Sequence, residues 1–478
     1  MYKNLTSYIV PLTFIAGLYI VYQLVLRGGP LPALLFALLP AVAICGAGMF
    51  YRQLGFYVFF TLNYFIMGIS RYITMKPGII MLGLAIGVFL LIFLKNIFHP
   101  YDWKRCRNFL TLLWSIWFIY CVLELFNPRA LWEPWSIAFP HYAFYPLCCA
   151  LFIPLLFTRY KHFQWLLIIW AVLTLLAAAK GYWQRNRGFD WGELNWLFVE
   201  GGARTHIIST GIRYFSFFTD AAAYGAGMGI SMVVFGISGF YVRKLWIKLL
   251  YWGTTIAAGY GLLISGTRSD IAIPFVGLII FLLLCREKKA IFISGALLIT
   301  AFVFLKYTDI GEGNRLIRRM RTSLDFTDAS WNVRVENRGK ITELMKDKPF
   351  GTGLGLAGVK ANRFREVDKH DPLTYIATDS WFIMTYVETG IVGLTLYLCI
   401  LIAILIKSTQ IILYKIKSKE LKGQLYAITG GIMGILVTCY ANEVLNFPNG
   451  IIVYTLMAFL YTAPYYDKEL IHDDAIKP

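Results

Sequence analysis

Apolar residues run through this chain in blocks of about 17–25, separated mostly by short polar connections. The blocks fall at roughly 8–26, 30–50, 54–70, 77–94, 108–126, 142–158, 163–179, 220–241, 245–265, 270–285, 290–305, 381–406, 424–442 and 450–464. A helix of about 20 apolar residues crosses the hydrocarbon of a bilayer, because it satisfies its backbone polar groups internally. The pattern predicts an all-α polytopic membrane protein with about 12–14 transmembrane helices, the lower figure applying if some blocks are re-entrant. Residues 1–478 read as a single transmembrane domain with two long polar interruptions, at 181–219 and 306–379. The second of these is expected to carry amphipathic helices. No small-residue cleavage site follows the first block, which therefore reads as a retained span and not as a signal peptide.

Cations in the short connections set the expected orientation. Lys95, Lys104, Arg105 and Arg107, then Arg159 and Lys161, then Arg243, Lys244 and Lys248 occupy alternate loops. Arg286, Lys288 and Lys289 continue the series, and Lys407, Lys415, Lys417, Lys419 and Lys422 complete it. Short loops rich in Lys and Arg stay on the cytoplasmic side. Both termini are then cytoplasmic. The opposite, outer face receives both long loops, the 127–141 connection and the 265–270 turn.

Composition agrees with this picture. The chain is 58% hydrophobic and 15% charged, more apolar than a soluble globular chain. Its formal net charge of +18 sits largely in short loops, where topology accounts for it. Membrane lipids are the expected partners and nucleic acid is not. The eight cysteines mostly lie inside apolar blocks, with neither zinc spacing nor the pattern of a disulfide framework.

The residues that could carry chemistry gather on the outer side. The turn 265–270, Ser-Gly-Thr-Arg-Ser-Asp, puts Arg268 at a bilayer surface. A charge costs about 2.5–3.5 kcal/mol at the centre of a span and less near its edge. Arg204 lies in the first long loop, and Arg213 and Asp220 enter a span among aromatic residues. Arg315, Arg318 and Arg319 are spaced to form one cationic helix face, suited to lipid headgroups or to cradling a phosphate. Arg334 and Arg338, four apart, project from one side of a helix whose apolar stripe is Ile341, Leu344 and Met345. Pro349 ends that helix. The Gly351-x-Gly353-x-Gly355 turn after it lacks the strand–turn–helix setting of a nucleotide loop. Asp379 stands before a span, as an N-cap or as an acid–base group. Glu388 puts a carboxylate about two turns deeper. Guanidinium groups bind phosphate bidentately and stay charged, which suits an anionic lipid-linked substrate entering sideways from the bilayer.

Over roughly 200–400 these features resemble the O-antigen ligase and polymerase superfamily of bacterial membrane glycosyltransferases. The resemblance rests on the Ser-Gly-Thr-Arg-Ser turn, a long outer loop, Arg334 fifteen residues before Pro349, the Gly-rich turn, and Glu388-Thr-Gly-Ile-Val-Gly. It implies a GT-C-like helical fold in the bacterial inner membrane with a periplasmic active site. It further implies an undecaprenyl-diphosphate-linked glycan as donor, no metal and no other cofactor, and inverting transfer to an acceptor hydroxyl. By the resemblance Arg268 and Arg334 hold the diphosphate. Many members carry His-Asn where this chain has Asp379-Ser380, so Asp379 is the expected base and His370 its competitor. Arg204, Arg213, Asp220, Arg318, Arg338 and Glu388 are the expected substrate contacts. The acceptor is left open between a lipid A core (a ligase), another glycan (a polymerase) and a protein hydroxyl. A flippase or exporter of lipid-linked oligosaccharides is the non-enzymatic alternative.

Overall fold

The computed structural model describes residues 51–476, apart from 209–210, 286, 311–312, 314–317, 319–320, 322–328 and 365–371. The first two apolar blocks, Arg315, Arg319 and His370 lie outside the described residues. The chain forms two units, residues 1–58 with 86–100, and residues 59–85 with 101–478. All of the candidate chemistry belongs to the second.

Every apolar block within the described residues falls on a helix. In chain order these are α1 (Leu54–Ile69), α2 (Pro77–Phe98), α3 (Phe109–Leu123), α4 (Trp132–Leu156, with a π-turn at Pro140–Phe144), α5 (Tyr160–Arg187) and α6 (Trp191–Phe198). There follow α7 (Ala221–Tyr241), α8 (Leu245–Ser265), α9 (Ala272–Leu284), α10 (Lys288–Tyr307), α11 (Ala329–Leu344), α12 (Trp381–Lys415), α13 (Lys419–Thr438) and α14 (Asn449–Ile476). Among the described residues, seven helical segments are long and apolar enough to cross a membrane: α2, α3 with its extension to Phe126, α4, α5, α7, α8 and α12. α1 and the Ile291–Phe304 part of α10 are shorter apolar helices. The protein is thus an all-α polytopic membrane protein. A two-residue hairpin pairs Ile207–Ile208 with Gly211–Ile212.

The helices α7, α8, α9 and α13 pack closely because small residues line their contacts. A Cβ at Gly225 of α7 would collide with the Ser265 and Asp270 side chains. On α13, Cβ atoms at Gly430 and Gly434 would lie 2.7 Å from the carbonyl oxygens of Gly277 and Ile273 on α9. Small residues four apart let backbones approach in membranes, where helix association depends on packing. This draws the start of α7, the end of α8 and the end of α13 together.

The continuous apolar block at 381–406 conceals a break. Gly390 has φ +67°, which divides α12 into a short first segment and a long second one. A break orphans the carbonyls of the preceding turn. The Gly-rich turn takes them up: Thr352 N donates to Val387 O at 2.9 Å and Gly353 N to Glu388 O at 3.0 Å. Across the break, Val392 N donates to Pro349 O at 3.2 Å, and the Tyr120 hydroxyl donates to Thr389 O at 3.0 Å. Gly351, Gly353 and Gly355 all have positive φ, between +79° and +96°. The Ile341–Met345 stripe of α11 packs on Leu373 and Val387, so the whole assembly rests on the first segment of α12.

Candidate active site

Two acidic residues arrive by different local routes. Asp220 caps α7, its Oδ1 accepting from Ala223 N at 2.8 Å. At α12 the cap is Ser380, which accepts from Ile383 N at 3.4 Å. Asp379, one residue earlier, is exposed and has φ +46°. Asp tolerates this left-handed conformation better than most residues, yet non-glycine residues held there cluster at functional sites. The capping alternative for Asp379 therefore falls to its neighbour, and its carboxylate lines a cavity.

The loop before α7 is fastened from behind by Arg71. Its guanidinium donates to Ser216 O at 2.9 Å, to Phe218 O, and to Thr219 O at 3.3 Å. It also lies 4.4 Å from the Phe215 ring centroid and 4.7 Å from that of Trp196. Burial pulls the Arg71 pKa down to about 10, with Glu193 opposing, so it remains cationic near neutral pH. Gln184 accepts from Ser216 N at 2.9 Å on the same loop.

Arg213 opens that loop and bridges two others. It donates to Thr205 O at 3.1 Å and to Thr267 Oγ1 at 2.6 Å. Burial lowers its pKa, Asp220 and Asp270 oppose this, and the Arg334 and Arg268 guanidiniums lower it further. His206 supports the start of α7 by accepting from Ala221 N at Nε2, 3.0 Å away. Its Nδ1 lies 2.9 Å from Gly202 O, a pure acceptor, so the proton sits on Nδ1. Burial pushes the His206 pKa down to about 4 and keeps the ring neutral.

These elements enclose a cavity of about 540 Å³. Arg213, Arg268 and Arg334 line it together with Asp220, Asp379 and Glu443. Thr378 Oγ1 donates to Glu443, and Asn442 Nδ2 to Ser269 Oγ beside Arg268. Three guanidiniums around one space can hold a polyanion, and nearby carboxylates can accept a proton from a hydroxyl.

The remaining expected residues sit elsewhere. Arg338 leaves Arg334 to face the cavity and stacks 3.9 Å from the Tyr440 ring centroid, donating to Tyr440 O at 2.6 Å. Arg204 belongs to the single turn Ala203–His206 and Arg318 is exposed; neither lines the cavity. Glu388 lines a neighbouring cavity of about 200 Å³, which shares Ala357, Met384, Glu443 and Asn446 with the first. Residues that sequence reasoning passed over are His206, Thr267, Asn442, Glu443 and Asn446. The last three belong to a polar cluster between two apolar blocks, a usable signal.

Residues 253–398 match the O-antigen ligase family. The match takes in Arg268, Arg334, Asp379 and Glu388, whereas Arg213, Asp220 and Glu443 lie outside it on the same cavity or its border. No curated protein matches the chain.

Proposed function

We propose, from the match of residues 253–398 to the O-antigen ligase family, that this protein moves a glycan from a polyprenyl-diphosphate donor to an acceptor hydroxyl. The observation that carries the reading is the meeting of Arg213, Arg268 and Arg334 with Asp379 on one cavity. The arginines grip the diphosphate. As the C1–O bond of the sugar breaks, its electron pair leaves with the polyprenyl diphosphate, and preplaced guanidiniums stabilise the growing charge. The acceptor oxygen attacks C1 from the opposite side, which inverts the anomeric centre. Its proton passes to the Asp379 carboxylate.

We read the cavity as opening to the periplasm. It lies at the starts of α7 and α12 and the ends of α8 and α13. Arg243, Lys244, Lys415, Lys417 and Lys419 lie at the other ends of these helices, where cytoplasmic loops carry their cations. An inner-membrane enzyme with undecaprenyl diphosphate as the carrier is the form this takes in bacteria.

The test is transfer by purified protein from a polyprenyl-diphosphate glycan, followed by release of polyprenyl diphosphate. Asp379→Asn is expected to slow transfer by about 10²–10⁴-fold. Full activity in that variant, with loss in His370→Ala or Glu443→Gln, would move the base. In a deletion strain, a ligase leaves lipid-linked polymer uncapped, whereas a polymerase leaves single repeats.

A further inference from the structure

We propose that the pocket around Glu388 is the subsite for the acceptor saccharide; this rests on the glycosyltransferase reading above. The two adjoining cavities differ in chemistry. The larger one gathers three guanidiniums, groups that only donate hydrogen bonds, with the carboxylates of Asp220, Asp379 and Glu443 among them. The smaller presents the carboxylates of Glu388 and Glu443 beside the rings of Tyr142, Trp381 and Phe364, with one guanidinium, Arg363. Carboxyl oxygens accept hydrogen bonds from sugar hydroxyls. Aromatic rings offer flat apolar faces for the C–H surface of a pyranose.

Glu388 is 3% exposed and Tyr142 2%, and the two side chains meet in this pocket with the Gly355 and Ala357 amides beside the carboxyl. Glu388 Oε2 and the Tyr142 hydroxyl keep hydrogen-bonding capacity that a hydroxylated guest would use. The position is also right for chemistry. Glu443 and Asn446 border both cavities, so a sugar beside Glu388 reaches the edge of the space that holds Asp379. On this reading the diphosphate is drawn to the three arginines and the polyhydroxyl partner to the aromatic-lined pocket beside them.

The experiment uses full-length purified protein with two probes. The donor is the cells' own polyprenyl-diphosphate glycan, and the acceptor is surface oligosaccharide released from the same cells by mild acid. Glu388→Gln keeps the side-chain shape and replaces one carboxyl oxygen by an amide nitrogen. It is expected to raise the acceptor KM by about tenfold, as loss of a buried hydrogen bond does, with the donor KM unchanged. Ile137→Trp is the second variant. Ile137 is half exposed and lines only the smaller cavity, so the substitution fills the pocket without burdening the core. It should raise the acceptor KM in the same way. An unchanged acceptor KM in both variants, or a raised donor KM instead, overturns the subsite. A wild type that transfers nothing overturns the glycosyltransferase reading and the subsite with it.

Discussion

The two ends of this helical bundle carry similar charge and use it differently. At one end, Arg243, Lys244, Lys415, Lys417 and Lys419 are exposed. Carboxylates there are occupied with the fold: Asp467 accepts from Lys417 N and Ser418 N at 3.0 and 2.8 Å, and Glu469 from Tyr160 N at 2.7 Å. At the other end, Arg213, Arg268 and Arg334 converge on a recess with Asp379, whose capping duty Ser380 has taken. Exposed lysines are solvated point charges whose positions record topology. Guanidiniums gathered in a recess repel one another, an arrangement that makes sense when an anion completes it. Counting cations would have treated the two ends alike; burial and convergence separate them.

The largest expected effect breaks the comparison at its active end. Arg268→Ala or Arg334→Ala should lower transfer at least about 10²–10³-fold, the usual result of removing one preplaced donor to developing charge. Lys417→Ala and Lys419→Ala, measured in the same transfer assay, should leave turnover nearly unchanged. Next comes Arg71→Ala, which frees the loop carrying Arg213 and Asp220. Displacement of about 1 Å can cost 10²-fold in rate, so turnover should drop by about ten- to a hundredfold. Arg71→Lys should regain melting temperature more than turnover, because an ammonium cannot span three carbonyls and two rings.

Smaller effects sharpen the contrast between scaffold and site. Gly390→Ala would force a side chain into a left-handed position against Pro349 O. It should cost about 1–3 kcal/mol of stability, read as a lower melting temperature. The smallest effect is a pH dependence. His206 is held at about 4 in the folded protein, against the ordinary value of about 6.5. Between these values the unfolded chain binds the proton and the folded one does not, so stability declines as pH falls from about 6.5 to about 4. Thermal melts of the wild type and of His206→Gln should diverge over that interval, the variant being the less sensitive to acid.

Much of this was legible in the sequence, for identifiable reasons. Blocks of apolar residues found the helices, because bilayer thickness fixes their length. The spacing of Arg334 and Arg338 and the stripe through Ile341 and Met345 correctly described α11. Hydropathy could not reveal the break at Gly390, since the residues on both sides are apolar and the partner turn lies some forty positions earlier. Arg338 was grouped with Arg334 by helical period, but only the tertiary position of Tyr440 tells their roles apart. Asn442 and Glu443 went unnoticed because polar residues at the margin of a span resemble an ordinary loop. Asp379 reads as a cap in the sequence, and only the backbone geometry gives that duty to Ser380 beside it.

The seam between the Gly-rich turn and the broken helix limits what length the chain tolerates there. Thr352 N and Gly353 N each meet one particular carbonyl across the gap and Pro349 O meets Val392 N, so the two sides of the seam share a register like teeth of a zip. Deleting or inserting one residue between Pro349 and Thr352 would misalign these pairings and leave buried carbonyls without donors. Length is therefore frozen in that stretch, whatever freedom the side chains around it retain.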